Sequence, residues 1–312
     1  LPLHLWKQMN NALVLTLCVS AFLLTRASQA QDAAPAQPPT LDWRLRFEVG
    51  QTVRVRREIY RSGAVNSGGQ RMVLKNSLAL IYSLQVLEVE PDGTARARLK
   101  LLTFGFKGDG GRTFYSPFPG IVQQSADEVL EPYRLAAKSS LELSIGPRGE
   151  VDWAGENFEA HKDEKRHQAR ARRGPNALNE IAAEQTLYSL AEDLRLLLAY
   201  LPQEPVEAGR KWSRSIGAHP TRPTQAHQLD STLLEVGPAS ATLQISEHLL
   251  AHPQFSGTVE SDSTGRLQLD VADGWPRRAE MDKHSRQKPD GEPISTSGKS
   301  HTAYTFTLSE PS

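Results

Sequence analysis

Alternation of apolar and polar side chains dominates the chain from Leu41 onward. Leu41, Trp43, Leu45 and Phe47 alternate with Asp42, Arg44, Arg46 and Glu48, and after Gly50 the pattern resumes with Val53 and Val55 against Arg54 and Arg56. A period of two sends one set of side chains to a core and the other to water, so both stretches are predicted strands with one wet face. Leu78, Leu80, Tyr82, Leu84 and Val86 repeat the period, which then slips by one to Leu87 and Val89, as it does at a β-bulge. Pro91-Asp92-Gly93 reads as a turn, and Ala95, Ala97, Leu99 and Leu101 then alternate with Arg96, Arg98 and Lys100. Together these runs predict a long antiparallel hairpin with one solvated face.

The period changes in the middle of the chain. Leu187, Leu190, Leu194, Leu197 and Leu201 recur at steps of three and four, which predicts a helix starting near Asn176 or Ala177 and stopped by Pro202. A leucine stripe beside so many strands is read as a face that docks on a sheet. A second helical start is marked by Ser125 with Glu128 three residues on, and Pro132 is expected to limit it.

Three landmarks occur twice in the same order. Gly50-Gln51-Thr52-Val53 is matched by Gly209-Arg210-Lys211-Trp212, and Leu87-Glu88-Val89-Glu90-Pro91 by Leu234-Glu235-Val236-Gly237-Pro238. Leu141, Leu143 and Ile145 leading to Gly149 are matched by Leu267, Leu269 and Val271 leading to Gly274. The chain is therefore read as mainly β (α+β), with one or two large curved antiparallel sheets built from two duplicated halves and one prominent central helix. The boundaries are 41–160 for the first β-rich half, 161–202 for a charged segment and the helix, and 203–312 for the second β-rich half.

The amino-terminal end changes the picture of where the protein works. Lys7 precedes the 13 largely apolar residues Ala12–Leu24, and Ala27-Ser28-Gln29-Ala30 places small residues where a signal peptidase cuts. That run is too short for a bilayer core of about 30 Å, which needs about 20 residues. Residues 1–30 are read as a signal peptide, 31–40 (QDAAPAQPPT) as a flexible leader, and the rest as exported, periplasmic or extracellular. Cys18, the only cysteine, falls inside the signal behind Leu17, so the exported part holds no disulfide, thiolate nucleophile or thiolate metal site. Removing residues 1–30 takes away Lys7 and Arg26 and no acid, leaving 34 basic against 36 acidic residues. That balance speaks against nucleic acid as a partner.

In order along the chain, RFEVGQ, LEVEPDGTARARL, LSIGPRGEV, LPQEPVEAGRKW and GRLQLDVADGWPRRAEM resemble an uncharacterised family of exported bacterial proteins, classified as a domain of unknown function. The resemblance spans nearly the whole chain beyond the signal. It rests on strands and turns, so it implies architecture and export and carries over no catalytic or binding residue. At the level of fold the pattern is similar to the curved-sheet carriers that move lipoproteins or lipids across the bacterial periplasm, an analogy of architecture alone.

Candidate chemistry is sparse. Pro293 to Ser300 (PISTSGKS) nearly fits a phosphate-cradling loop, but proline stands where glycine must wrap the anion, and a strand rather than a helix follows. Glu247-His248 and His252 evoke a zinc helix, yet Leu243 and Ile245 alternate as in a strand, on which four residues span about 13 Å. These histidines are read as surface residues at a strand end. His161 to Arg173 (HKDEKRHQARARR) is a basic run able to meet anionic head groups and is read first as a solvated face. Trp43, Trp153, Trp212 and Trp275 are read as core. Acidic residues fall mainly on the wet faces of strands, so no pair of carboxylates stands out for acid–base work.

No catalytic, cofactor-binding or metal-ligating residue is therefore assigned, and no cofactor. One-sided strands with few helices to cover them point to a non-enzymatic exported protein that binds an apolar ligand or a cell-envelope partner, with a lipid as one candidate and no membrane span once the signal is removed. The alternatives are a structural or adhesive envelope module, and a hydrolase whose site is assembled from distant strands.

Overall fold

The computed structural model describes residues 40–67, 70–108, 111–115, 131–153, 175–217, 226–250, 257–289 and 295–309. Residues 1–39, which hold the expected signal and most of the expected leader, Ser125 and Glu128, the basic run His161–Arg173 and His252 lie outside these residues. The first half forms β1 (Thr52–Ser67), β2 (Gln70–Val89), β3 (Ala95–Gly108), β4 (Gly111–Tyr115), α1 (Glu131–Lys138), β5 (Leu141–Ile145) and β6 (Val151–Asp152). The long helix α2 (Pro175–Leu198) follows. The second half forms β7 (Lys211–Ile216), β8 (Ala226–Val236), β9 (Ser240–Leu250), β10 (Gly257–Asp270), β11 (Pro276–Pro289) and β12 (Ser295–Ser309).

All these strands belong to one antiparallel sheet, in the order β6-β5-β3-β2-β1-β12-β11-β10-β9-β8-β7, with β4 paired to β3 off that path. The two halves thus merge where β12 pairs with β1, from Thr52 opposite Ser309 to Asn66 opposite Ser295. The alternation read from Leu78 to Leu101 is the β2–β3 hairpin, and the slip after Val86 is a register shift between Val86 and Glu88.

The sheet curls around α2. Flat, the eleven strands from β6 to β7 would hold these edges about 48 Å apart. Yet α2 packs on β3, β5 and β6. Just past its last turn, the Tyr200 carbonyl accepts hydrogen bonds from Trp212 Nε1 on β7 (3.1 Å) and Ser231 Oγ on β8 (3.2 Å). Leu187, Leu190, Leu194 and Leu197 are buried against the inner face, with Leu201 buried in the turn beyond the helix. Proline is well suited to begin a helix, where a missing N–H costs nothing, and Pro175 begins α2. Pro132 sits likewise in the first turn of α1.

Residues 41–47 depart from the expectation of a strand. Burial alternates as predicted, with Trp43 and Leu45 in the core. The backbone bonds, however, go to turns instead of to a neighbouring strand. Leu45 N donates to Pro147 O (2.7 Å), Arg46 N to Asp273 O (2.9 Å), and Leu41 forms an isolated bridge with Val206. Trp43 Nε1 donates to Gly274 O (2.8 Å) and Trp275 Nε1 to Arg46 O (3.2 Å). An extended segment thus runs across one end of the sheet and ties the β5–β6 turn to the β10–β11 turn.

The two halves share local geometry at the repeated landmarks. Gly50 N donates to Val86 O, Gln51 N to Glu48 O and Val86 N to Gln51 O; Gly209 N donates to Leu233 O, Arg210 N to Glu207 O and Leu233 N to Arg210 O. The register shift at Val86/Glu88 has its match at Leu233/Glu235. Ala95 faces Ile145 and Ala97 faces Leu143, as Ala241 faces Leu269 and Leu243 faces Leu267.

Candidate functional site

The inner face changes character along the strands. Next to the helix it is apolar, with Val53 and Val55 of β1 flanked by Leu84 and Tyr82 of β2 and by Leu308 and Phe306 of β12. That part is covered by α1, α2 and residues 41–47, so the predicted shortage of cover is confined to the far end of the long central strands. There the inward positions turn polar. Arg57 and Arg61 follow on β1, Thr302 and Ser300 on β12, Lys283 and Ser285 on β11, Ser263 and Ser261 on β10, and Glu247 on β9.

Between this polar floor and the C-terminal end of α2 lies a half-open cavity of about 510 Å³. Ile59, Met281, Leu196 and Leu197 contribute apolar lining, and Arg57, Tyr200, His227, Glu247 and Lys283 polar lining. Two polar clusters are built into it.

The first joins sheet to helix. Arg57 Nη1 donates to the carboxylate of Asp193 on α2, and its guanidinium lies 5.6 Å from the centre of the Tyr304 ring. Burial works against the charge on Arg57, but Asp193 and Tyr304 outweigh it and keep the guanidinium protonated. Burial also pushes the Tyr304 and Tyr82 hydroxyls well above the ordinary tyrosine range, so both remain neutral. Arg57 Nε is buried with no hydrogen-bond partner among the described residues.

The second cluster centres on Glu247. His227 Nδ1 shares a hydrogen bond with Glu247 Oε1 at 2.6 Å, Ser263 Oγ donates to Oε2 at 3.3 Å, and Lys283 Nζ stands 4.0 Å from Oε1. Burial pushes the carboxyl upward, but the bond from His227 together with Lys283 and Ser263 holds it below the ordinary carboxylate range. Tyr200 is 1% exposed and its hydroxyl has no partner among the described residues; burial and the nearby charge of Glu247 raise its pKa.

Ser263 gives its hydrogen bond to the Glu247 carboxylate and not to His227, so these three residues are not arranged as a serine–histidine–carboxylate relay. Among the described residues no three groups stand together as a metal site.

Of the residues singled out from sequence, Glu247 and the β12 residues Gly298, Lys299 and Ser300 line the cavity, and the others lie elsewhere. His248 is exposed on the outer face, paired with Asp262 at 2.7 Å. Gly298, Lys299 and Ser300 are strand residues of β12 paired with β1 and β11. Trp43, Trp153 and Trp275 are buried in the core, and Trp212 is partly buried against it. Three carboxylates are exceptions to the pattern of acids mainly on wet faces: Glu192 is 2% exposed, Glu247 8%, and Asp193 pairs with Arg57 beneath the helix. Their signal was present as charges in phase with apolar neighbours, since Arg57 follows Val53 and Val55, and Glu247 follows Leu243 and Ile245.

No protein-family model matches the chain, and no curated protein matches it. Among solved structures, the chain is similar to lipovitellin, studied for its lipid–protein interactions, with a TM-score of 0.51 at 8% identity over 85% of this chain. The chain spans 26% of the length of that lipovitellin chain, and the likeness is one of fold. An outer membrane channel from Pseudomonas putida F1 aligns over 88% of this chain and 100% of its own, at 7% identity and a TM-score of 0.23. The translocator domain of the autotransporter NalP from Neisseria meningitidis aligns over 93% of this chain and 97% of its own, at 7% identity and a TM-score of 0.20. No helix among the described residues is long and apolar enough to cross a membrane.

Proposed function

We propose that the protein is a non-enzymatic exported binding protein whose concave sheet face carries an amphipathic small molecule, with a lipid as the leading class. The observation that carries this reading is the cavity of about 510 Å³ beside α2, lined by both apolar and hydrogen-bonding side chains. Ligand pockets run from about 300 to 1,000 Å³ and combine apolar lining with a few placed polar groups, which is the composition found here. A purely apolar cargo fits less well, because Arg57 Nε and the Tyr200 hydroxyl have no partner among the described residues and want a polar group. The lipid–protein interactions named for lipovitellin agree with this reading at the level of architecture only. Export rests on the signal pattern of residues 1–30 and on the resemblance to an exported family, and duplication of the halves rests on their shared bonding pattern.

Native mass spectrometry of protein purified from its own envelope, followed by solvent extraction, tests the reading. The expected result is an adduct that organic solvent releases as an amphiphile. An adduct-free mass, together with no saturable uptake of a fluorescent fatty acid, overturns it.

A further inference from the structure

We infer that the far end of the sheet is a docking surface for an anionic lipid bilayer. The central strands outrun the helix and end together, which brings the end of β1, the start of β2 and the corresponding ends of β10, β11 and β12 to one place. Ser62 pairs with Lys75 and with Lys299, and Lys299 with His284. Two adjoining shallow grooves on this end share Ser62, Lys75, His284 and Lys299. Seven cations line them, Arg61, Arg71, Lys75, Lys107, Lys283, Arg286 and Lys299, against two acids, Asp262 and Asp282.

Both acids are already engaged. Asp262 pairs with His248 at 2.7 Å and Asp282 with His301 at 2.9 Å. The chain as a whole is neutral, with 36 basic and 36 acidic residues, so this concentration of positive charge belongs to one end of the molecule.

The same end carries most of the large apolar side chains left exposed among the described residues. Met72 is 60% exposed, Val73 52%, Tyr60 53% and Phe106 36%, each close in sequence to Arg71, Lys75, Arg61 or Lys107. Tyr60 and Val73 line the grooves beside the cations, while Met72 and Phe106 stand at the same end on the inner face by register. Such a mix of cations with exposed apolar and aromatic groups matches the headgroup layer of an anionic membrane, which supplies phosphates to the first and acyl boundary to the second. A soluble polyanion would meet the cations and leave the apolar groups in water. Docking does not depend on the cavity holding a cargo.

Cosedimentation of the purified protein with vesicles of phosphatidylcholine, alone or mixed with phosphatidylglycerol, tests the inference. Binding to the mixed vesicles is expected to exceed binding to the neutral ones and to weaken as salt screens the charges. The triple variant K75E/K107E/K299E, on exposed positions, is expected to lose on the order of a hundredfold of that anionic-lipid binding, at about fivefold per basic residue. Its circular dichroism should be unchanged. Met72→Ser with Val73→Ser is expected to remove the part of binding that resists salt. Equal binding to both vesicle types, wild-type binding by the triple variant, or full competition by dextran sulfate with no effect of the serine pair would each overturn the proposal. Loss of cargo without loss of vesicle binding would count against the carrier reading alone.

Discussion

Arg57, the third inward residue of β1, and Asp193, near the end of α2, form an ion pair buried between sheet and helix although they stand 136 residues apart in sequence. Breaking a buried pair from one side strands the other charge in a poorly solvated place, which costs about 3 kcal/mol or more. Arg57→Met is therefore expected to destabilise the fold by about that amount in urea unfolding. The double variant Arg57→Met with Asp193→Leu should recover most of the loss, because it removes both charges. Equal destabilisation by the single and double variants would show that the pair does not hold the helix.

Acid stability follows from Glu247. Its carboxyl in the folded protein lies below its ordinary value of 4.5, so protons bind the unfolded chain more readily than the native one. This contribution to stability is fully present above pH 4.5 and is lost as pH falls through the depressed native value. Unfolding free energy measured from neutral to acid pH is expected to decline less steeply below 4.5 in Glu247→Gln than in wild type. Identical slopes would mean that the bonds from His227 and Ser263 do not favour the ionised form.

Both clusters illustrate what was legible beforehand. Strands, the β2–β3 hairpin, its bulge and the leucine helix follow from local periodicity, because each needs only neighbours in sequence. The union of the halves through β1 and β12 was not legible, since it pairs Thr52 with Ser309 and no local pattern reports on so distant a partner. Residues 41–47 were misread for a related reason. Alternating burial is common to a strand and to any extended segment, and only the acceptors Pro147 and Asp273 distinguish them. The polar site was missed because the acids were read as falling mainly on the wet faces of strands, with no exceptions picked out. Glu247 and Arg57 break that pattern on the inner face, and partners that neutralise them come from other strands and from α2.

Cover and cavity should respond separately to substitution. Leu194 is fully buried under the helix and does not line the cavity, so Leu194→Ala is expected to cost about 3 kcal/mol while leaving uptake of a fluorescent fatty acid unchanged. Thr302 lines the cavity opposite Ile59 and Met281, and Thr302→Trp should abolish uptake with little change in stability. Reversal of these effects would place the binding space elsewhere.

Gly274 and Gly209 isolate the contribution of the segment that closes the sheet end. Both hold a left-handed backbone, with φ of 78° and 83°, which an L side chain enters at a cost of about 1 kcal/mol or more. A Cβ on Gly209 meets nothing within 4 Å, so Gly209→Ala should show the conformational cost alone. A Cβ on Gly274 would sit 2.1 Å from the Arg44 carbonyl oxygen, and backbone cannot yield as a flexible side chain does. Gly274→Ala is therefore expected to lose clearly more stability than Gly209→Ala and to displace residues 41–47. That release would free Trp43 Nε1 from Gly274 O and bring the indole toward water, giving a red-shifted tryptophan emission and faster proteolysis near Arg44 and Arg46. Equal losses for the two glycines, with unchanged emission, would mean that the segment contributes nothing to closing this end of the sheet.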